Sequence, residues 1–260
     1  MELNLNNKSA LVCGSTQGIG HATAVALASE GTRVTLVARN EEKLKKIVSE
    51  LPKTAAHDYI VADFSNPEEL KINVEKYLNS HKGFHILINN TGGPRSGAIL
   101  EATLEQFESA FTQHLKCNHV LTQLVVPFMK SEKYGRIINV ISTSVKEPIE
   151  GLGVSNTIRN AVGNWSKTLS FELGAYGITV NNVLPGFTKT ERLNEIIEVK
   201  AKKANMSFKE MERIMKTYTP AKRFAKPEET ANTIVFLASE AAGYINGINI
   251  PVDGGRTKSL

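Results

Sequence analysis

A short apolar run, Ala10-Leu11-Val12-Cys13, leads into Gly14-Ser15-Thr16-Gln17-Gly18-Ile19-Gly20 and then into the small-residue stretch Ala22 to Ala28. This order restricts the fold more than any other part of the chain. The apolar run reads as a buried strand, glycines at 14, 18 and 20 open a helix, and Gly31 closes it. Such a turn lets backbone approach a pyrophosphate, whose charge meets the free N–H groups at the helix N-terminus. The spacing is G-x-x-x-G-x-G rather than the commoner G-x-G-x-x-G.

The same alternation continues to the C-terminus. Arg33 to Ala38 reads as a strand, and Leu44, Ile47, Val48 and Leu51 recur at helical spacing before Pro52. Tyr59 to Asp63 is a third strand, followed by a helix capped by Ser65 or Asn66 with Pro67 in its first turn. Phe84 to Asn89, Arg136 to Ser142, Ile178 to Leu184 and Gly247 to Val252 complete the strands. Between them, Thr103 and Gln106 form a capping box for a helix with Leu104, Phe107, Phe111 and Leu115 on one face. A later helix carries Ile158, Val162, Trp165, Leu169 and Leu173, and Pro227 starts the last one. Strands alternating with helices predict an α/β fold, a doubly wound parallel sheet of Rossmann type, in one domain over residues 1–260. Residues 187–223 interrupt the alternation and read as two extra helices, the second capped by Ser207 with Glu210. Their apolar residues, including Met206, Met211 and Met215, suggest an adaptable helical lid.

Composition excludes several classes. With 260 residues and 41% hydrophobic content, the chain can bury a full core. Its formal charge of +5 comes from lysines interleaved with glutamates, as in Glu41-Glu42-Lys43-Leu44-Lys45-Lys46, which reads as solvated helix faces and predicts no nucleic-acid partner. Cys13 and Cys117 have no metal-type spacing and read as buried thiols in a reducing compartment, so no metal is expected. No signal-like layout and no apolar run of about 20 residues is present, which predicts a cytoplasmic protein without a membrane partner.

Together the glycine turn, Asn89-Asn90-Thr91-Gly92, Pro185-Gly186 with Thr190, and the end from Arg223 through Phe236-Leu237-Ala238-Ser239 to Val252-Asp253-Gly254-Gly255 resemble the short-chain dehydrogenase/reductase family. The resemblance implies a dinucleotide site built from Gly14, Ser15, Gln17, Gly18, Ile19, Gly20, Asp63, Asn90, Gly92, Pro185, Gly186 and Thr190. It also implies a lid covering the substrate. Cys13 and Thr91 depart from the family's usual Thr and Ala, and are expected to alter strand-to-strand hydrogen bonding. NAD-selective relatives place a carboxylate after the second strand, where this chain has Ala38 followed by Arg39. A carboxylate there would repel a 2′-phosphate, whereas a guanidinium binds one in a fork, so NADP(H) is expected over NAD(H).

The family's catalytic Asn, Ser, Tyr and Lys fall on His114, Ser142, Ser155 and Arg159. Only the serine at 142 is retained. A serine at 155 is shorter and less acidic than a phenol, and Arg159 stays protonated and cannot pass protons near neutral pH. A positioned acid contributes about 10²–10⁴-fold, so its loss demands a substitute. His114 is the candidate on chemistry, with an ordinary pKa near the working range, although a satisfied core histidine is the alternative. Lys146, Glu147 and Glu150, in the loop after Ser142, read as loop solvation.

The resulting expectation is an NADP(H)-dependent carbonyl reductase with altered proton delivery, acting on a small apolar substrate. A 3-oxoacyl group on an acidic carrier, met by Lys200, Lys202, Lys203 and Lys209, is one form of it. The alternatives are a nucleotide-binding sensor or partner subunit without turnover, and a non-redox enzyme on the same frame. The resemblance further implies a homodimer or homotetramer formed through the two long helices.

Overall fold

A computed structural model describes residues 1–259. Its seven strands form one parallel sheet in the order β3-β2-β1-β4-β5-β6-β7. They are β1 (Ser9–Cys13), β2 (Arg33–Ala38), β3 (Asp58–Val61), β4 (Ile86–Asn89), β5 (Gly135–Val140), β6 (Ile178–Pro185) and β7 (Asn249–Val252). The strand order reverses between β1 and β4, and ligands of such sheets bind outside the carboxyl ends of the strands at that switch point. The glycine turn follows β1 and therefore stands there.

One face of the sheet is covered by α1 (Gly18–Ser29), α2 (Glu41–Glu50) and α9 (Pro227–Ala238). Val12, Leu36, Ile88 and Val140 point into that layer, among Leu27, Leu44 and Ile234. The other face carries α3 (Pro67–Leu78), α5 (Cys117–Glu132) and α6 (Gly153–Leu173). Leu11, Val37, Leu87 and Ile137 fill it against Leu70, Leu121 and Leu173. Strand residues thus alternate between two cores, which is why each strand is apolar almost throughout. The caps follow the sequence: Asn66 accepts from the Glu69 N–H, and Thr103 and Gln106 form their reciprocal box. Cys13 and Cys117 are buried free thiols.

The helix after Thr103 departs from its expected form. It runs as α4 (Leu104–Phe111), then loosens into a single π-turn over Thr112–Lys116 before α5 begins. The wider turn rotates the apolar stripe. Leu104 and Phe111, expected on a buried face, are exposed, while Ala110, His114 and Cys117 are buried. A simple 3.6-residue period cannot see such a turn, because it shifts the register of everything beyond it.

The insertion forms α7 (Glu191–Lys203) and α8 (Phe208–Thr217), the latter opened by the expected Ser207–Glu210 box. Leu193, Ile197, Ala201, Met211, Met215 and Phe224 make a small separate core. Met211 and Met215 hold the two lid helices together and do not form an open, adaptable surface.

Candidate functional site

The glycine turn is shaped for close backbone approach. Gly14 has φ +56°, and a Cβ there would stand 2.5 Å from the Asn90 carbonyl oxygen. A Cβ at Gly20 would run into the Gly14 carbonyl. Asn90 pins the turn, its Nδ2 donating to the carbonyls of Cys13 at 3.3 Å and Gly14 at 3.2 Å. Ser15 is fully buried and its hydroxyl lies 3.5 Å from the Val37 carbonyl. Gln17 occupies the cap position of α1 but contributes no side-chain cap, and no acidic residue occupies the first turn. The N–H groups of Gly18, Ile19 and Gly20 therefore face outward without a side-chain acceptor, the arrangement that suits a pyrophosphate. Above Gly92 there is open space, with no atom within 4 Å of a notional Cβ.

The remaining residues of the cradle stand around this turn. Arg39 and Asp63, after β2 and β3, are 3.9 Å apart, and the Arg39 side chain is 77% exposed. That guanidinium is loosely held and free to turn toward a ligand. Pro185 ends β6, and the Gly186 N–H donates to Val252 at 2.9 Å. Thr190 caps α7 and its methyl would lie 3.0 Å from a Cβ at Gly18. The inserted helices thus begin in contact with the glycine turn, at the residue expected to share in the cofactor site.

The four expected catalytic residues gather beyond β4 and β5. Ser142 follows β5 and its Oγ accepts from the Ser144 N–H at 3.1 Å, leaving its own proton to donate elsewhere. Ser155 and Arg159 lie one turn apart on the buried side of α6. Arg159 donates through Nη1 to the Val140 carbonyl at 2.9 Å, while its buried Nε has no partner. Burial lowers its pKa to about 10, so it is still cationic at neutral pH.

His114 is brought to the same place by the π-turn. Ala110 packs with Val154 and Ile158 of α6, and Leu115 joins the cluster around Val162, which sets His114 between them beside Arg159. Its Nδ1 shares a 2.5 Å hydrogen bond with Thr91 Oγ1, and its Nε2 is buried without a partner. Burial first, and the Arg159 charge second, hold this imidazole well below its ordinary pKa. It is therefore a neutral group, in contrast to the expected titration near the working pH, and it is only half satisfied as a core histidine. Thr91 was also misplaced by sequence reasoning: its hydroxyl serves His114 and not a strand. The clue was available, because Thr91 departs from the family pattern beside a site whose other members depart too.

Glu147 was likewise undervalued as a solvated loop residue. Its Oε1 accepts from the backbone N–H groups of Lys258 at 2.7 Å and Ser259 at 2.8 Å, binding the C-terminal segment to the loop after β5. Nothing in the sequence spacing of these residues pairs them. Among the described residues no cluster of three or more metal-ligating side chains occurs, and no helix is long and apolar enough to cross a membrane.

Comparison with known proteins agrees with this geometry. Residues 14–257 match the family model described as enoyl-(acyl carrier protein) reductase. The chain is 30% identical to the NADPH-dependent reductase BacG of Bacillus subtilis over 98% of its own length and 100% of the relative's. It is 32% identical to the 3-oxoacyl-[acyl-carrier-protein] reductase FabG of Aquifex aeolicus over 98% and 99% of the two chains. The crystal structure of L-sorbose reductase from Gluconobacter frateurii, complexed with NADPH and L-sorbose, superposes with a TM-score of 0.93, 32% identity and full coverage of both chains.

Proposed function

The chain belongs to the short-chain dehydrogenase/reductase family and is an oxidoreductase, and on that premise we propose that it reduces a carbonyl group using NADPH. The observation that carries the reading is the uncapped N-terminus of α1 beneath a glycine turn that tolerates no side chain. Arg39, loosely held at the end of β2, is the group that would bind the 2′-phosphate. Pro185, Gly186 and Thr190 border the nicotinamide end. When bound, NADPH supplies a hydride to the carbonyl carbon.

The protein's own task is to hold the carbonyl and supply a proton. Ser142 donates its hydroxyl proton as a hydrogen bond to the carbonyl oxygen, and Arg159, one turn below Ser155, stabilises the negative charge that develops there. The proton follows a relay in place of a phenol. In the relay we assign half-buried Thr91 as the donor to His114 Nδ1, which places the imidazole proton on Nε2. As Nε2 releases its proton through Ser155 or a water toward the alkoxide, Nδ1 takes up the Thr91 proton and solvent water reprotonates half-buried Thr91, so that the net proton comes from solvent and both imidazole and hydroxyl end neutral. A depressed pKa suits that role, since no standing imidazolium beside Arg159 is required.

The substrate reading is a ketone on a mainly apolar body. The FabG relative makes 3-oxoacyl thioesters the first class to examine, and Lys200, Lys202 and Lys203 in the last turn of α7 support an acidic carrier as partner. Exposed Leu104 on α4 and Phe171 on α6 support pairing of copies through these helices. Titration of the protein with NADPH and NADH, followed by NADPH consumption on a panel of ketones and 3-oxoacyl thioesters, tests the reading. Preferred NADPH binding with turnover is expected. Tight NADPH binding with no turnover of any carbonyl would instead favour a sensor, the alternative supported by the absent Tyr-Lys pair.

A further inference from the structure

The C-terminal segment crosses the mouth of this site. After β7 it passes Asp253, reaches Arg256 beside Phe187, and is fastened at Lys258 and Ser259 by Glu147 of the loop after β5. It therefore spans the carboxyl ends of β7, β6 and β5, the last of which is followed by Ser142.

Arg256 is the unusual member. Its guanidinium carbon stands 4.2 Å from the centre of the Phe187 ring, and the residue is half-buried. Its backbone N–H is held by Asp253, but among the described residues its guanidinium donates to no protein acceptor and makes no ion pair within 4.0 Å. The two nearby carboxylates are already engaged. Asp253 accepts from the N–H groups of Gly255 at 2.9 Å and Thr257 at 2.7 Å, and Glu147 holds Lys258 and Ser259. A guanidinium has five donors, and a partly desolvated one without acceptors is costly unless a ligand supplies them. Burial lowers the Arg256 pKa, opposed by the charges of Asp253 and Glu147, and it remains protonated.

The cofactor's 2′-phosphate is too distant to be that ligand. Phe187 follows β6, four strands from β2, which at strand spacing is roughly 19 Å from Arg39, and the pyrophosphate already has the uncapped N-terminus of α1. The anion must belong to whatever lies over the ends of β5 and β6, where the carbonyl is held.

We propose that Arg256, stacked on Phe187, binds a carboxylate of the substrate, so that the molecule reduced is a free oxo acid and not a carrier-bound thioester. This rests on the carbonyl-reductase reading but puts a free acid in place of its carrier-bound thioester. The planar fork matches a carboxylate in two parallel hydrogen bonds, and Phe187 offers its other contacts to the apolar body.

The test compares a series of oxo acids with their methyl esters and N-acetylcysteamine thioesters, on the unaltered protein and on Arg256→Gln and Arg256→Lys. The ratio of kcat/KM for acid over ester should fall by roughly 10- to 150-fold in Arg256→Gln, the span for a hydrogen-bonded charged pair, and partly recover in Arg256→Lys. An unchanged ratio, or esters and thioesters preferred by the unaltered protein, would overturn the proposal. A second measurement needs no turnover: 3-hydroxybutyrate and its amide are titrated onto the NADP⁺-loaded protein and followed by calorimetry. Binding of the acid alone, lost in Arg256→Gln, supports the carboxylate site even if no carbonyl is reduced, and in that case it is the reductase reading that fails. Equal binding of acid and amide, or equal loss of both, refutes the carboxylate site whatever the turnover.

Discussion

Replacing Thr91 by Val removes one hydroxyl and almost no volume, which makes it the sharpest probe of the proton relay. The 2.5 Å bond to His114 is lost, leaving a buried imidazole with no partner on either nitrogen. An unsatisfied buried polar atom costs about 1–3 kcal/mol, so the variant should unfold at lower denaturant but remain folded. The effect on catalysis should be of a different kind. If proton delivery runs through Thr91 and His114, breaking the first link forfeits the lower part of what a positioned acid supplies, roughly 10²-fold in kcat, or about 2.7 kcal/mol of barrier. NADPH affinity should stay within about twofold, because neither side chain belongs to the glycine cradle. Thr91→Ser restores a hydroxyl and should recover most of kcat. Steady-state NADPH consumption, NADPH titration and the solvent deuterium effect on kcat together separate the possibilities. A Thr91→Val protein that loses stability yet turns over at the original rate would reduce the Thr91–His114 pair to a structural contact and refute the relay.

Three further outcomes follow from the same structure. Arg39→Ala should weaken NADPH about tenfold and leave NADH nearly unchanged, since an exposed guanidinium sits at the low end for charged hydrogen bonds; equal losses for both nucleotides would remove the selectivity argument. Deleting residues 194–217 behind a short Gly/Ser bridge takes away most of a self-contained lid core but keeps Thr190 against Gly18, so NADPH binding should survive within a few-fold while turnover is lost. Below about pH 6.5 the unfolded chain protonates His114 and the folded protein does not, so stability is complete above that pH and falls as pH drops below it; urea unfolding of His114→Asn should show a shallower acid-side loss, with the similarly depressed His85 contributing equally to both proteins.

The sheet, its two cores and the cradle were legible because they rest on local signals. Glycines at 14, 18 and 20 have steric reasons visible in the spacing, and the strands declare themselves as apolar runs between caps. The two extra helices were legible as an interruption of the alternation, though the sequence did not show that Met211 and Met215 would turn inward into a shared core. What escaped was long-range. The π-turn at Thr112–Lys116 has no breaker residue to announce it, and it sets the register in which His114 and Cys117 are buried. The pairing of Thr91 with His114 spans 23 positions, and that of Glu147 with Lys258 spans 111. No periodicity reports such contacts.

The departures from the family pattern are better understood as one change than as four. A tyrosine at 155 would need a nearby cation to depress its pKa, and would make an imidazole relay redundant. With a serine there, the site needs another proton path, and a histidine at 114 supplies it only if something fixes its tautomer. Thr91 holds Nδ1 from the neighbouring loop, in a position where alanine could not, and the proposed relay takes it as the donor. Arg159 presses the imidazole toward its neutral state, and in the proposed reduction its charge would also meet the developing alkoxide. A degenerating site would be expected to lose residues independently and to leave polar atoms scattered. Here the partnerless Nε2 of His114 and Nε of Arg159 are both buried, the one in contact range of the other's charge, and the proposed relay gives each a task, the first to release a proton and the second to hold charge.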